Sequence, residues 1–425
     1  MQGDLSSATC FDRDAKEMVA DGLTSPRLPL DVAAVAAYLA KECCIPAPVW
    51  TSVRQFSAGQ SNPTYLLEGG PQAAAFSKVV LRRQPPGDLL PSAHDVRREH
   101  RVLKALARTP VPVPNVLALC TDSEVLGVDW MVMEYVAGVA PDDERLPGFT
   151  AESRSTAWAS AIAVLAALHS VDHIEVGLSA HGRPGGGYVK RQLNAWSRTF
   201  GMVEAWLQER QEQLDDAAAD ANAESPPLGA QARAMLVKVL AAGSEMATLE
   251  EQLRAGLAEN VGAPADEPTC IVHGDYRLGN LLLHPQSGSV MAVLDWELST
   301  LGHPLCDVAY FLSAHGAPSE LGGFGGMALP PGTPSEAVAL QLYCEQAGVP
   351  VPPPSTWAFF CAHAWHRRAA ICHGVFARAL QGNASAPDAL RLGALGFCEC
   401  VRLGLEAMAR GAAALQSADA PRSRL

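Results

Sequence analysis

An α+β fold in two lobes is what this 425-residue sequence predicts: a small N-terminal lobe with an antiparallel sheet plus a helix, and a larger, mainly helical C-terminal lobe. Three observations carry that reading. Between residues 49 and 135, short runs rich in Val, Leu and aromatic residues are separated by turn residues, with one amphipathic helix after the third run. After Gly138 the pattern changes to long helical segments. Near residue 270 short apolar runs return and bracket a dense set of polar residues.

Residues 1–27 hold several acids and no apolar stretch, so they predict a flexible tail and neither a secretory leader nor an Arg-rich transit peptide. The N-terminal lobe spans 28–137. It opens with a helix over 30–41, where Asp31 is the candidate N-cap. Strands follow at 49–56, 64–68 and 75–83. A helix over 92–106 then places Val96, Val102, Leu103 and Leu106 on one side, and strands at 116–121 and 130–135 close the lobe. The C-terminal lobe spans 138–412, with helices at 153–170, 187–208 and 230–257 and from 307 to 410. Within it, the Ala/Glu/Gln-rich stretch 207–265 reads as a helical surface insertion, partly mobile, whose charge run is a solvated face. Short strands fit 270–272, 281–284 and 290–295; the Gly- and Pro-rich segment 316–334 reads as a mobile loop, and 413–425 as a polar tail.

Bulk properties exclude several classes. A formal charge of −13 and a hydrophobic content of 48% describe a globular chain with no basic face for nucleic acid. No apolar run approaches the roughly 20 residues that span a bilayer. The 11 cysteines show no repeated spacing and no His partners, which predicts free thiols in a reducing compartment and no zinc site.

The segment from 270 to 297 reads CIVHGDYRLGNLLLHPQSGSVMAVLDWE. Phosphoryl transfer needs little covalent chemistry from a protein: a carboxylate to orient the acceptor hydroxyl, and oxygen ligands for the metal that neutralises phosphate charge. Asp275, Asn280 five residues on and Asp295 at a strand end supply these groups, Asp275 as catalytic base and the other two as Mg²⁺ ligands. The spacing His-x-Asp-x-x-x-x-Asn matches the protein-kinase catalytic loop, with Gly274 where an Arg is usual. Between two predicted strands, Ser57, Gly59, Ser61 and Asn62 form a turn of small residues whose backbone N–H groups could approach phosphates, although a plain hairpin loop has the same composition.

With Leu-Asp-Trp-Glu after the catalytic loop, the chain resembles the aminoglycoside phosphotransferase/choline kinase superfamily, small-molecule kinases with the protein-kinase-like fold. The segments FSAGQSNPTYLL, MVMEYVAG, GYVKRQLNAW, LDWELSTLGHPLCDVAYF and GVFARALQGNAS resemble one branch more closely, the kinase-like domain of the long acyl-CoA dehydrogenases and its stand-alone relatives. The resemblance implies ATP and Mg²⁺ as cofactors. It implies that Arg82 stands where kinases place a phosphate-contacting lysine, with Glu99 as its helix partner; a surface ion pair is the alternative. It also makes the strand through Glu134 and Val136 the hinge that presents its backbone to adenine, and gives His273 and Asp307 supporting roles behind the loop.

Acceptor candidates implied by the resemblance are Tyr188, Lys190, Arg191, Trp196, Arg277, Trp296, Arg367 and Arg378. Several are cationic in an acidic chain, which suits an anionic acceptor such as a hydroxy-acid or hydroxyacyl-CoA, whereas a polycationic aminoglycoside would want acids and choline an aromatic cage. The neighbouring arginine of the same helix, Arg368, reads as surface or packing. The chain ends in Ser-Arg-Leu at 423–425, a close variant of a peroxisomal address, which predicts an import receptor as partner and a peroxisomal location. A separate acyl-CoA dehydrogenase is a further candidate partner. Competing expectations are an aminoglycoside, macrolide or choline-like acceptor, and a nucleotide-binding pseudokinase.

Overall fold

The computed structural model describes residues 23–44, 49–56, 62–69, 77–85, 95–183, 186–219, 230–263, 265, 267–383 and 388–419. In chain order the N-terminal lobe contains β1 (Leu23–Thr24), α1 (Val32–Glu42), β2 (Trp50–Phe56), β3 (Thr64–Gly69), β4 (Lys78–Arg83), α2 (Val96–Leu106), β5 (Val116–Cys120), α3 (Ser123–Leu126) and β6 (Trp130–Glu134). The strands form one antiparallel sheet in the order β1-β2-β3-β4-β6-β5. β1 lies within the expected tail 1–27; two residues on a sheet edge leave no periodic signal to read.

Side-chain alternation divides this sheet into two faces. Tyr65, Leu67, Val79, Leu81, Trp130 and Val132 pack under α1 with Val35 and Leu39. Met131 and Met133 take the opposite face, against Val96, Val102, Leu103 and Leu106 of α2. Each such burial stabilises by about 1.5–3 kcal/mol. Arg82 follows Leu81 and therefore points to the α2 face. On α2, begun by the Asp95 side chain accepting the N–H groups of Arg97 and Arg98, Glu99 belongs to the buried stripe at positions 96, 99, 102, 103 and 106. Strand and helix periodicity thus bring one buried cation to one buried acid.

The larger lobe contains α4 (Ala151–Ser170), α5 (Tyr188–Ala219), α6 (Ala230–Val261), β7 (Cys270–Val272), β8 (Leu281–Leu283), β9 (Val290–Val293), β10 (Thr300–Gly302), α7 (Pro304–Leu312), α8 (Glu336–Ala347), α9 (Pro354–Leu380) and α10 (Ala389–Asp419). β7 pairs with β10 and β8 with β9. The expected surface insertion is helical, but α6 is not a surface element. Its residues Ala232, Leu236, Val239, Ala242, Met246, Leu249 and Leu253 are buried, and their spacing of three to four is a continuous helical stripe packed into the core shared with α5, α9 and α10. The 316–334 loop is likewise anchored: Ala317 and Phe324 are buried, and Phe324 N–H donates to Ala314 O at 2.9 Å.

Among the described residues no helix is long and apolar enough to cross a membrane, and the described cysteines are free thiols.

Candidate active site

β7 delivers the chain into a tight loop at His273. Gly274 sits at φ +82°, and a Cβ there would lie 2.6 Å from Leu298 O, so only glycine fits where kinases carry arginine. The loop is held from behind by Asp307, in the first turn of α7, which accepts the N–H of His273 at 2.6 Å and of Gly274 at 3.0 Å. Burial alone would lift this carboxyl, but His169, 3.5 Å away, together with His273 and its N–H, holds it below the ordinary Asp value. The His273 ring ties the loop together: Nδ1 accepts Asp275 N–H at 3.1 Å, which leaves Nε2 to donate to Leu294 O at 2.8 Å.

Asn280 Nδ2 donates to both Asp275 O and Asp275 Oδ2, each at 2.8 Å. Because both partners are acceptors, the amide orientation is fixed and Oδ1 is turned away from Asp275. Asp295, following β9, adopts φ 62° and ψ 64°, a left-handed conformation uncommon for a residue with a side chain and one that aims its carboxylate into the gap between the lobes. There Arg82 Nη2 lies 2.9 Å from Asp295 Oδ1, while Arg82 Nε lies 2.7 Å from Glu99. Burial pushes the Glu99 carboxyl up to about 7, against the pull of Arg82. Asn280 Oδ1 and Asp295 Oδ2 remain as hard oxygen donors of the kind that Mg²⁺ takes, so the residues present fit that ion.

Beside Asp275 opens a cavity of ≈ 210 Å³ lined by Asp142, Glu144, Arg277, Tyr310, Arg368 and the 314–323 loop. Arg277 Nε is 3.7 Å from Asp275 Oδ2. Tyr310 hydrogen-bonds the Asp275 carboxylate, and burial together with that negative charge pushes its phenol up to about 12, so the tyrosine is the donor. Arg367 Cζ stacks 4.4 Å from the Tyr310 ring centre and 5.4 Å from that of Trp196. A larger cavity of ≈ 540 Å³ lies on the outer face of α2 around Arg97, His100, Arg101 and Lys104, and shares no residue with this site.

The structure brings Asp275, Asn280, Asp295, Arg82, Glu99 and Arg277 together. Glu134 ends β6, and its carboxylate accepts from the backbone N and Nδ2 of Asn115, so only its backbone is left for a hinge role; Val136 follows it. Asn62 is buried at the entry to β3, while Ser57, Gly59 and Ser61 lie outside the described residues, as does the 423–425 tripeptide. Two acceptor candidates are corrected. Trp296 is 0% exposed with its indole N–H given to Val293 O, and Tyr188 is buried with its ring against Gly302, so neither has a surface to offer an acceptor. Arg191 donates to the carbonyls of Gly186 and Arg183 and closes its own loop. Glu144, Tyr310 and Arg368 were not among the candidates. A double arginine within the apolar helix at 367–368 was the available signal; nothing in the run Asp142-Asp143-Glu144 distinguishes its third acid.

Residues 52–337 match the model of the phosphotransferase enzyme family. Acyl-CoA dehydrogenase family member 10 of Mus musculus is 36% identical over 345 residues, 80% of this chain but 28% of that protein, so this chain spans under a third of its length. A Ralstonia eutropha protein provisionally named an aminoglycoside phosphotransferase superposes with a TM-score of 0.69 at 32% identity, covering 90% of this chain and 99% of that one. The spectinomycin phosphotransferase solved with ADP and spectinomycin shares the fold, with a TM-score of 0.53 at 11% identity over 89% of this chain and 99% of that one. The catalytic loop, the Arg82–Glu99 pair and these matches agree: the chain belongs to the phosphotransferase enzyme family, with a bilobal kinase-like fold.

Proposed function

We propose that this protein is an ATP- and Mg²⁺-dependent kinase that transfers the γ-phosphoryl group to a hydroxyl of a hydroxy-acid or hydroxyacyl-CoA in fatty-acid catabolism, and that its Ser-Arg-Leu end directs it to the peroxisome. The observation that carries the kinase reading is Asp275 held by Asn280 and Tyr310 within one cleft with Asp295 and Arg82. Mg-ATP, when bound, supplies the transferable phosphoryl group and the neutralising charge. Asn280 Oδ1 and Asp295 Oδ2 are the groups that would hold the ion. Arg82 draws the lobes to the phosphates, and Asp275 Oδ accepts the proton of the attacking hydroxyl. The acceptor reading is supported by two guanidiniums in the cavity wall, Arg277 and Arg368, which stand there with Asp142 and Glu144, by Arg367 stacked beside it, and by the name of the mouse relative.

ADP release is measured with Mg-ATP and a panel of hydroxy-acids, hydroxyacyl-CoA thioesters, aminoglycosides and choline. Turnover of the hydroxy-acid or thioester set is expected. Turnover of aminoglycosides alone overturns the acceptor class, and tight nucleotide binding with no turnover of any acceptor overturns the kinase reading.

A further inference from the structure

Helical period places a cationic face behind α2. Its buried stripe runs through 96, 99, 102, 103 and 106, and Arg97, Arg101 and Lys104 fall on the side directly opposite, where they line the cavity of ≈ 540 Å³. A helix face turned to water ordinarily mixes signs, because an acid four residues from a base stabilises it and like charges at that spacing repel. Residues 97–108 instead hold Arg97, Arg98, His100, Arg101, Lys104 and Arg108 in a chain of charge −13, and the single acid among them, Glu99, faces inward. Asp129 pairs with Arg97, but among the described residues no carboxylate pairs with Arg101 or Lys104. Burial lowers the His100 imidazole below the ordinary His value, and the charges of Lys104 and Arg101 push it the same way. Over this face Leu119 of β5 and Val176, Gly177 and Leu178 of the loop after α4 complete an apolar floor with Ala105. The loop is preformed, with the Leu178 N–H given to His173 O at 2.7 Å and the Gly177 N–H to Ile174 O at 3.0 Å. Arg98 holds α2 to the same lobe, its Nη2 donating to His181 O at 2.8 Å and Ser299 O at 2.6 Å. Uncompensated positive charge above an apolar floor, between walls drawn from both lobes, is a seat for an anion with an apolar body.

We propose that this cavity binds an organic phosphate, with the phosphate groups on Arg97, Arg101 and Lys104 and the apolar part on Leu119, Val176 and Leu178, and that the occupant braces α2 against the C-terminal lobe. The site is independent of the acceptor reading, since it shares no residue with the cavity beside Asp275. Phosphate is favoured over a lone carboxylate because the cations on successive turns are best matched by an anion of more than one charge, and a guanidinium forks onto phosphate oxygens. The volume falls within the roughly 300–1,000 Å³ of small-molecule sites, and the floor asks for an organic body, which inorganic phosphate lacks. The brace follows from α2 itself. One helix presents Arg101 and Lys104 outward and Glu99, 2.7 Å from Arg82, inward. An occupant touching both α2 and the 176–178 loop restrains the helix that sets Arg82 at the nucleotide cleft.

Binding is followed by calorimetry on the full chain with the interlobe cleft filled by saturating Mg-AMP-PNP. The probes are coenzyme A, UDP, pantetheine, pyrophosphate and an octaglutamate peptide. Coenzyme A or UDP is expected to bind one to one, and whichever leads distinguishes a coenzyme A derivative from a nucleotide as the source. Pantetheine lacks the phosphates and pyrophosphate lacks the body, so each is expected to bind at least ~10-fold more weakly. Arg101→Glu relieves the repulsion along α2, and is expected to keep the thermal midpoint while weakening the leading probe at least ~10-fold. Lys104→Gln is expected to weaken it in the same direction, whereas Asp275→Asn is expected to bind it as the wild type does. No binding of either organic phosphate at about 1 mM overturns the site. So does pantetheine, pyrophosphate or the peptide binding as tightly as the leading probe, or an Arg101→Glu protein of unchanged affinity. Coupling is read from the Mg-AMP-PNP affinity with and without the leading probe, which needs no acceptor. A gain of at least ~5-fold in the wild type, absent in Arg101→Glu, is expected; equal affinities overturn the brace.

Discussion

One guanidinium spans the interlobe gap: Arg82 lies 2.7 Å from Glu99 on one side and 2.9 Å from Asp295 on the other. A lysine keeps the charge but cannot fork onto both carboxylates. Arg82→Lys is expected to fold normally and to lose about 10²-fold in kcat/KM for ATP, a difference of about 2.7 kcal/mol; an unchanged value would mean the double contact is idle. Arg82→Met leaves Glu99 buried without its partner and is expected to cost about 3–5 kcal/mol in urea unfolding.

Asp275→Asn removes the proton acceptor while its amide can still meet Asn280 and Tyr310. Turnover is expected to fall by about 10²–10⁴-fold, with nucleotide affinity by calorimetry nearly intact. A variant retaining ordinary kcat would displace Asp275 from its role.

Asp307 titrates below the ordinary Asp range, so the unfolded chain binds its proton first as pH falls. Its stabilising contribution is therefore complete above about pH 4 and is lost as pH drops through the lower, folded value. The stability gap between wild type and Asp307→Asn is expected to narrow as pH falls below about 4. Urea midpoints across that range test the sign; a gap that widens on acidification refutes it.

Leu249, fully buried on α6, distinguishes a core helix from a surface insertion. Leu249→Ala is expected to destabilise by about 2–5 kcal/mol. A change within ±0.5 kcal/mol would restore the surface reading.

Deleting residues 423–425 is expected to leave turnover unchanged and to disperse a fluorescently tagged protein from peroxisomes to the cytosol. A location that does not respond removes the address from consideration.

The legible features were those that share a short stretch of sequence or a strict period. Asp275 and Asn280 sit five residues apart in one loop, and Arg82 and Glu99 fall on facing sides of a period-2 strand and a period-3.6 helix. The cavity beside Asp275 was legible only in part, through Arg277, because its wall is gathered from residues near 144, 277, 310 and 368, which nothing local links. Trp296 misled for the opposite reason. The family resemblance implied contact with the acceptor, whereas a 3₁₀ turn after Asp295 rotates the indole inward to pack tilted against His273 at 4.7 Å between ring centres. The α6 stripe was present in the sequence and masked by its Ala and Glu content.

Asp307 fixes the catalytic loop from α7, whereas Arg368 and the 314–323 loop, which wall the cavity, belong to other segments of the chain. The cavity wall is thus joined to the catalytic loop at Arg277 and Tyr310, which also contact Asp275, and built apart from it at Arg368 and the 314–323 loop. Recombining the 314–323 loop and the α9 face between relatives becomes a route to a re-cut cavity that leaves Asp275 and its immediate contacts in place.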